Sequence, residues 1–150
     1  LYHPNQEYYV NCERKIVAYR YMIERAIRGE DIELWGDPNA FKDILYVKDL
    51  CQMMFKALFA QVDGGTYNAG TGIATTLRQQ IEGMIAVFSP ADAPSHIVEK
   101  PEGAGFTSFV MDIKNAQQDL GYVPEYDYIH YLEDYKRERE LMRFDRLWVK

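Results

Sequence analysis

The fold of this chain is indicated most clearly by residues 31–50, which read Asp31-Ile32-Glu33-Leu34-Trp35-Gly36-Asp37-Pro38-Asn39-Ala40-Phe41-Lys42-Asp43-Ile44-Leu45-Tyr46-Val47-Lys48-Asp49-Leu50. Ile32 and Leu34 alternate with polar residues, which is typical of a half-buried strand, so we expect a strand over 31–35. Residues 36–39 carry strong turn signals. The stretch therefore predicts a strand that ends in a tight turn.

A mostly apolar run follows this turn and predicts a second strand over 41–47. Asp49 stands directly before the apolar positions of a helix that we expect to end near Gln61. Its carboxylate is suited to accept hydrogen bonds from the unpaired N–H groups at the helix start. Upstream, apolar residues recur at three- and four-residue spacing between 12 and 28, which predicts an amphipathic helix that Gly29 ends.

The rest of the chain also alternates between helical and strand patterns. Thr76 and Gln79 match a capping box ahead of a helix that runs to Phe88. We also expect strands over 66–69 and 96–99, a short helix over 113–120 that Asp112 caps and Gly121 closes, and a final amphipathic helix over 128–141. The sequence thus predicts an α/β chain of about five helices and three to five short strands. Residues 1–10 are expected to be a loop or disordered end, and residues 11–150 one domain.

Composition and charge exclude several classes of function. The formal net charge is −6 and no basic stripe is visible, so nucleic-acid binding is not expected. No apolar run approaches the ~20 residues that cross a membrane. The N-terminus has neither a signal-peptide pattern nor an initiator Met, which suggests a piece of a longer chain. Cys12 and Cys51 have no disulfide or zinc-type spacing, so we expect both to be buried, in a cytoplasmic protein without a metal site.

Four segments stand in an ordered arrangement along the chain. They are Ile32-Glu33-Leu34-Trp35-Gly36-Asp37, then Lys42-Asp43-Ile44-Leu45-Tyr46-Val47-Lys48-Asp49-Leu50, then Tyr67-Asn68-Ala69-Gly70-Thr71-Gly72, and finally Asp112 with Ala116 and Leu120-Gly121-Tyr122-Val123-Pro124. Together they resemble the extended short-chain dehydrogenase/reductase family, in particular its NAD-dependent, UDP-glucose 4-epimerase-like epimerases and dehydratases of nucleotide sugars. The resemblance covers roughly residues 16–135.

This resemblance implies that the chain is the C-terminal substrate-binding part of such an enzyme, with the Rossmann domain missing. In the family, a Gly-rich loop and a Tyr-x-x-x-Lys pair precede this region, and no Tyr of the chain has a Lys four residues on. NAD or NADP would be bound by the missing N-terminal domain, so no catalytic or cofactor-binding residue is expected here. The full-length form could be a homodimer. Epimerisation, dehydration and reduction stay open, as do the sugar and the nucleotide.

The resemblance also implies four substrate-binding residues. Trp35 would stack on the nucleotide base, with Glu33 in the same segment, although Trp35 could instead fill the core beside the turn. Lys42 takes the place of a diphosphate-binding Arg, but its ammonium is a flexible point charge, and it could equally lie on an edge strand. Lys100 could replace a second phosphate-binding Arg, because the nearest position holds Glu102, which would repel a phosphate.

Further interpretations of these features stay open. Gly70-Thr71-Gly72 imitates a dinucleotide-binding fingerprint, but Thr75 stands where the third Gly should be, so we favour a tight turn anchored by Asn68. Lys42 and Glu102 depart from the family pattern and give weight to a non-catalytic binding or regulatory module of the same fold. A missing cofactor domain would also leave an exposed apolar face on the chain.

Overall fold

A computed structural model describes residues 7–103 and 107–142 of the chain. The described residues form five helices and six short strands, which confirms the predicted α/β class. The helices are α1 (Ala18–Ile27), α2 (Val47–Phe59), α3 (Leu77–Phe88), α4 (Lys114–Leu120) and α5 (Tyr128–Leu141). The strands are β1 (Glu7–Val10), β2 (Glu13–Ile16), β3 (Ile32–Trp35), β4 (Phe41–Lys42), β5 (Thr75–Thr76) and β6 (Ile97–Lys100).

Three two-stranded sheets connect these strands. β1 and β2 form an antiparallel hairpin, β4 pairs antiparallel with β5, and β3 pairs in parallel with β6. Within the described residues, no helix is long and apolar enough to span a bilayer.

The main hydrophobic core lies between the β3–β6 pair and three helices, α1, α3 and α5. Ile32 and Leu34, the alternating apolar residues of β3, are each 1% exposed and belong to this core. Ile23 of α1, Ile81 of α3 and Leu132 of α5 are fully buried in the same cluster. The inward side of β3 is thereby fixed, so the side chains at 33 and 35 face outward.

A second, smaller core joins α2 to α4. Its five buried residues are Met53, Ile113, Ala116, Leu120 and Tyr122. The Tyr122 hydroxyl donates a hydrogen bond to the Gly70 carbonyl at 2.9 Å, and burial raises the pKa of this phenol to about 12. This bond ties the loop after residue 69 to the small core.

Several local predictions are confirmed. Thr76 and Gln79 form the capping box at the start of α3, with both reciprocal hydrogen bonds present. Gly121 ends α4 in the left-handed conformation, at φ 64°, where a side chain would be strained. β3 and β6 lie within one residue of their predicted bounds. Asp112 accepts a hydrogen bond from the Lys114 N–H, although the cap position itself is Ile113.

The predictions for the N-terminal region are partly wrong. Residues 7–10 form β1 rather than a loop, and the predicted helix over 12–28 begins only at Ala18. The hairpin turns at Asn11 and Cys12, which have φ values of 51° and 65°. Asn tolerates this left-handed conformation, which matches the twist of a two-residue hairpin turn. Residues 1–6 lie outside the described residues.

The predicted strand over 41–47 is also wrong beyond Lys42, and Asp49 is not a helix cap. The strand stops because the Asp43 carboxylate turns towards the loop at 70–72 and accepts hydrogen bonds from it. α2 begins at Val47, and its cap residue Tyr46 makes no side-chain capping bond. Asp49 instead lies buried within α2 and accepts hydrogen bonds from the Glu125 and Tyr126 N–H groups at 2.9 and 3.2 Å.

Two further predictions are wrong. Residues 66–69 form no strand, because no neighbouring strand lies beside them in the described part of the chain. Cys12 and Cys51 are both exposed rather than buried. Cys12 lies in the hairpin turn, and Cys51 lies on the side of α2 that faces away from the small core.

Candidate functional site

The candidate site lies where the parallel strands β3 and β6 end side by side. Trp35 and Lys100 are the last residues of the two strands and are partners in the register. The next N–H, that of Gly36, donates to the Lys100 carbonyl at 2.9 Å and extends the pairing into the turn. Because ligands of parallel α/β sheets bind beyond the carboxyl ends of the strands, this edge is the place to look for a binding site.

Trp35 presents a large part of its indole at this edge. The residue is 53% exposed, whereas its neighbour Leu34 is almost fully buried. The indole N–H donates a hydrogen bond to the Glu33 carboxylate at 3.0 Å. Residues two apart in a strand share a face, which places the two side chains together. Glu33 therefore holds the ring in one orientation with its surface accessible.

A cavity of about 480 Å³ opens beside this indole. Its lining combines all four residues of β3 with one side of α1 and two residues of α3: Ala18, Tyr21, Met22, Arg25, Ile32, Glu33, Leu34, Trp35, Leu77 and Ile81. Most of these side chains are apolar, and the polar groups of Glu33, Tyr21 and Arg25 are few. Such a cavity fits a flat ring that is oriented by a small number of hydrogen bonds.

Sequence reasoning missed the contribution of α1 to this cavity. The Arg25 guanidinium lies 5.7 Å from the centre of the Tyr21 ring and donates a hydrogen bond to its hydroxyl at 3.1 Å. A second bond, 2.6 Å long, joins the guanidinium to the Asp31 carbonyl. Both groups are thus held at the rim. The signal was present as an i, i+4 aromatic–Arg pair beside the buried positions Ile23 and Ala26.

Lys100 and Glu102 lie at the same edge. The chain after β6 passes close to the turn after β3, since a Cβ added to Gly103 would lie 3.3 Å from the Gly36 nitrogen. Lys100 is half-buried and Glu102 is exposed. The structure therefore brings Trp35, Glu33 and Lys100 to the same edge. Glu102, two residues after Lys100, adds a negative charge there.

Lys42 lies apart from this group. It is the last residue of β4 and is opposite Thr75 of β5. It is not among the residues that line the cavity beside Trp35. Lys42 is half-buried and takes part in an interaction within the chain. Its role in binding a substrate stays a prediction.

The Gly70-Thr71-Gly72 loop does not offer its N–H groups to a ligand. The Thr71 and Gly72 N–H groups donate to the two oxygens of the Asp43 carboxylate, at 2.8 and 2.9 Å. A pyrophosphate-binding loop needs such groups free to meet the phosphate oxygens. Asn68 does donate to a backbone carbonyl, at 2.9 Å, but it is that of Asp112 and not of the turn.

No metal centre is evident among residues 7–103 and 107–142. They hold no group of three or more His, Cys, Asp or Glu side chains that could coordinate an ion. The two described histidines each lie beside one carboxylate, His96 with Asp31 and His130 with Asp127.

Comparison with known proteins places these features in context. The sequence model of the NAD dependent epimerase/dehydratase family matches residues 14–70. The chain is similar to the dTDP-glucose 4,6-dehydratase of Escherichia coli, with 24% identity over 137 residues. This match covers 77% of the chain but only 36% of the enzyme.

Solved structures share the fold. A UDP-glucose 4-epimerase from Thermotoga maritima, solved with UDP-glucose, superposes with a TM-score of 0.68 at 24% identity, over 83% of this chain and 40% of that one. A dTDP-glucose 4,6-dehydratase from Bacillus anthracis, solved with NAD, gives a TM-score of 0.64 at 20% identity, over 85% of this chain and 40% of that one. The chain thus spans less than half the length of each of these proteins.

Proposed function

Because the chain belongs to the extended short-chain dehydrogenase/reductase family of epimerases and dehydratases, we propose that it binds the nucleotide-sugar substrate of such an enzyme. The observation that carries this proposal is the half-exposed indole of Trp35, which Glu33 orients at the carboxyl end of a parallel strand pair. Base stacking on an aromatic side chain contributes about 1–3 kcal/mol. A nucleotide base would lie on this indole and fill the adjacent cavity.

The charged residues at the same edge would receive the diphosphate. Lys100 is the register partner of Trp35, so a phosphate attached to a stacked nucleoside would come within reach of its ammonium group. Arg25, at the cavity rim, offers a second cation near the base or ribose. Lys42 is a further phosphate candidate if the substrate extends from this edge towards β4.

We assign no catalytic step to this chain. The loop at 70–72 does not fit a cofactor pyrophosphate, because Asp43 already occupies its N–H groups. NAD or NADP, which supplies hydride-transfer chemistry in this family, would be held by a Rossmann domain outside the chain. The chain alone is expected to be inactive. A cytoplasmic, homodimeric parent enzyme is part of the same proposal.

Ligand titration of the purified chain tests the proposal directly. UDP-glucose and dTDP-glucose would be added to a Trp148→Phe background, which leaves Trp35 as the single tryptophan. We expect quenching of its fluorescence and a rise in the unfolding midpoint for at least one nucleotide sugar. Trp35→Ala, followed by the unfolding midpoint, should weaken binding by about five- to 150-fold, since stacking contributes about 1–3 kcal/mol.

Phe55→Ala provides a matched control, because Phe55 is an exposed aromatic residue (62%) on α2, away from the cavity. It should leave ligand binding unchanged. Equal affinities for the wild-type chain and Trp35→Ala would remove the stacking role and with it the proposed function.

The alternative is a non-catalytic binding or regulatory module of the same fold. It is favoured by Lys42 in place of Arg and by Glu102 beside the phosphate position. A parent protein that carries a Gly-rich loop and a Tyr-x-x-x-Lys pair would support the enzyme, and a parent without that pair would support the module.

A further inference from the structure

The Glu33 carboxylate has acceptor positions to spare in the cavity beside Trp35. Its Oε2 atom accepts the indole N–H at 3.0 Å, and no other group among the described residues donates to this carboxylate. A carboxylate offers about four lone-pair sites on its two oxygens, so one bond leaves most of them open. The side chain is exposed and lines the cavity. A ring stacked on Trp35 would therefore meet a negatively charged acceptor along one edge.

The Arg25 guanidinium supplies the opposite kind of group near the start of β3. Its Nε donates to the Asp31 carbonyl at 2.6 Å and its Nη1 to the Tyr21 hydroxyl at 3.1 Å, whereas Nη2 donates to no group in the described part of the chain. Asp31 stands two residues before Glu33, which is roughly 7 Å in an extended chain. Arg25 lines the same cavity. A donor and an acceptor are thus held there at a separation comparable with the size of a purine.

Guanine is the base whose hydrogen-bonding groups match this pair. Its N1–H and 2-amino groups are adjacent donors, which one carboxylate can accept together, and its O6 and N7 are the acceptors that an Arg guanidinium binds. Uracil and thymine carry a carbonyl oxygen on each side of their N–H, and those oxygens would face the Glu33 carboxylate. Adenine and cytosine place a ring-nitrogen acceptor beside their amino group. Only guanine presents two neighbouring donors to Glu33.

We propose that the base recognised at Trp35 is guanine, so that the ligand of this chain is a guanosine diphosphate sugar. Guanine would stack on the indole, donate its N1–H and 2-amino group to Glu33, and accept at O6 from Nη2 of Arg25. The two-ring indole also overlaps a purine over a larger area than a pyrimidine, which favours stacking. The inference rests on the proposed nucleotide-sugar binding and narrows it to one base.

Three nucleoside diphosphates test the base directly, because they share the ribose and the diphosphate. GDP carries both donors, inosine diphosphate lacks the 2-amino group, and UDP has carbonyl oxygens on both sides of its N–H. In calorimetric titrations of the 150-residue chain we expect GDP to bind most tightly. Inosine diphosphate should bind roughly tenfold more weakly, through loss of one hydrogen bond to a charged group, and UDP more weakly still.

Glu33→Gln separates recognition of the base from support of the indole. The amide oxygen can still accept the Trp35 N–H, while the amide nitrogen presents donors to the base. We expect GDP to lose its advantage over inosine diphosphate, and UDP to bind more tightly than it does to the wild-type chain. Glu133→Gln makes the same change at an exposed residue of α5 outside this cavity and should leave the order of the three ligands unchanged.

Arg25→Gln tests the second contact. GDP and inosine diphosphate both carry O6 and N7, so this variant should weaken the two ligands by the same factor and keep their ratio. Arg28→Gln, at the exposed end of α1 and outside the cavity, should change neither affinity. The unfolding midpoint of each variant without ligand shows that a loss of binding is not a loss of folding.

The outcomes distinguish this inference from the proposed function. If UDP binds the wild-type chain as tightly as GDP and Trp35→Ala weakens both, guanine recognition is overturned while nucleotide binding at Trp35 stands. An unchanged ratio of GDP to inosine diphosphate affinity in Glu33→Gln would also overturn it, because Glu33 would then only orient the indole. If none of the three nucleotides binds, the proposed function fails and the inference fails with it.

Discussion

The Asp43 carboxylate binds Thr71 through two hydrogen bonds, from the backbone N–H at 2.8 Å and from the side-chain hydroxyl at 2.6 Å. The same carboxylate accepts from the Gly72 and Met111 N–H groups. Asp43→Asn replaces one acceptor oxygen by a donor, which leaves at least one of these N–H groups without a partner. We expect the free energy of unfolding in urea to fall by about 2–3 kcal/mol.

Asp63→Asn makes the same chemical change at an exposed residue in the loop after α2. Its effect should stay within about 0.5 kcal/mol, as is usual for surface substitutions. Similar losses for the two variants would contradict the structural role of Asp43.

Gly83 allows α3 and α5 to pack closely. A Cβ at this position would lie 2.8 Å from Cε1 of Tyr128 and 3.2 Å from Cδ1 of Leu132. Gly83→Ala gains about 1 kcal/mol of helix propensity, but overpacking costs about 1–3 kcal/mol, so we expect a net loss of stability in thermal or urea unfolding. The reverse change Ala57→Gly, at an exposed position of α2, should lose about 1 kcal/mol through propensity alone. A Gly83→Ala variant that is more stable than the wild-type chain would contradict the close packing of α3 against α5 at this position.

Asp134 should make the stability fall at acid pH. Burial disfavours its carboxylate, but hydrogen bonds from Lys48, Tyr46 and Arg137 outweigh this and hold its pKa below the ordinary value of 3.8. A carboxyl group whose pKa is lower in the folded than in the unfolded state stabilises the fold above the unfolded pKa. This stabilisation is lost as the pH falls through the folded pKa. We therefore expect the contribution of Asp134 to decline below about pH 4.

Asp134→Asn tests this expectation. It should lower the free energy of unfolding by about 1–3 kcal/mol at neutral pH, because an amide has one acceptor oxygen for the hydrogen bonds that the buried carboxylate receives from Lys48, Tyr46 and Arg137, while Lys48 keeps its ion pair with Glu138 at 3.0 Å. It should also reduce the fall in stability between neutral and acid pH, whereas Glu133→Gln at the exposed neighbouring position should not. Burial raises the pKa of Asp49, which acts in the opposite sense, so the difference between variant and wild type is the quantity to measure. If the free energy of unfolding of Asp134→Asn and that of the wild-type chain fall in parallel as the pH is lowered, Asp134 is not the source of the acid sensitivity.

Glu102→Arg should strengthen the binding of a nucleotide sugar. The change removes a carboxylate from the edge that holds Trp35 and Lys100 and supplies the bidentate cation found in the family. We expect the dissociation constant for UDP-glucose or dTDP-glucose to fall by roughly three- to tenfold at low salt, with less gain at high salt. Asp92→Arg makes the same charge change in the loop before β6, at the other end of the strand, and should have little effect. Equal gains in both variants would indicate a general charge effect.

Local signals predicted much of the secondary structure. The alternation of Ile32 and Leu34 predicted β3, the Thr76–Gln79 capping box predicted the start of α3, and Gly121 predicted the end of α4. Each depends on residues within one turn or one strand, so the sequence alone carries the information. The position of Trp35 at a strand end followed from the same local pattern.

Tertiary contacts decided what local patterns left open. Asp49 looked like a helix cap, but the N–H groups that it accepts from belong to residues 125 and 126, far along the chain. Asp43 likewise meets Thr71 and Met111, so β4 stops at Lys42. Periodicity shows that α2 has an apolar stripe, but not whether the stripe faces this chain or another layer. Side-chain contacts across the fold fix that rotation, and they leave Leu58 and its neighbours facing outward.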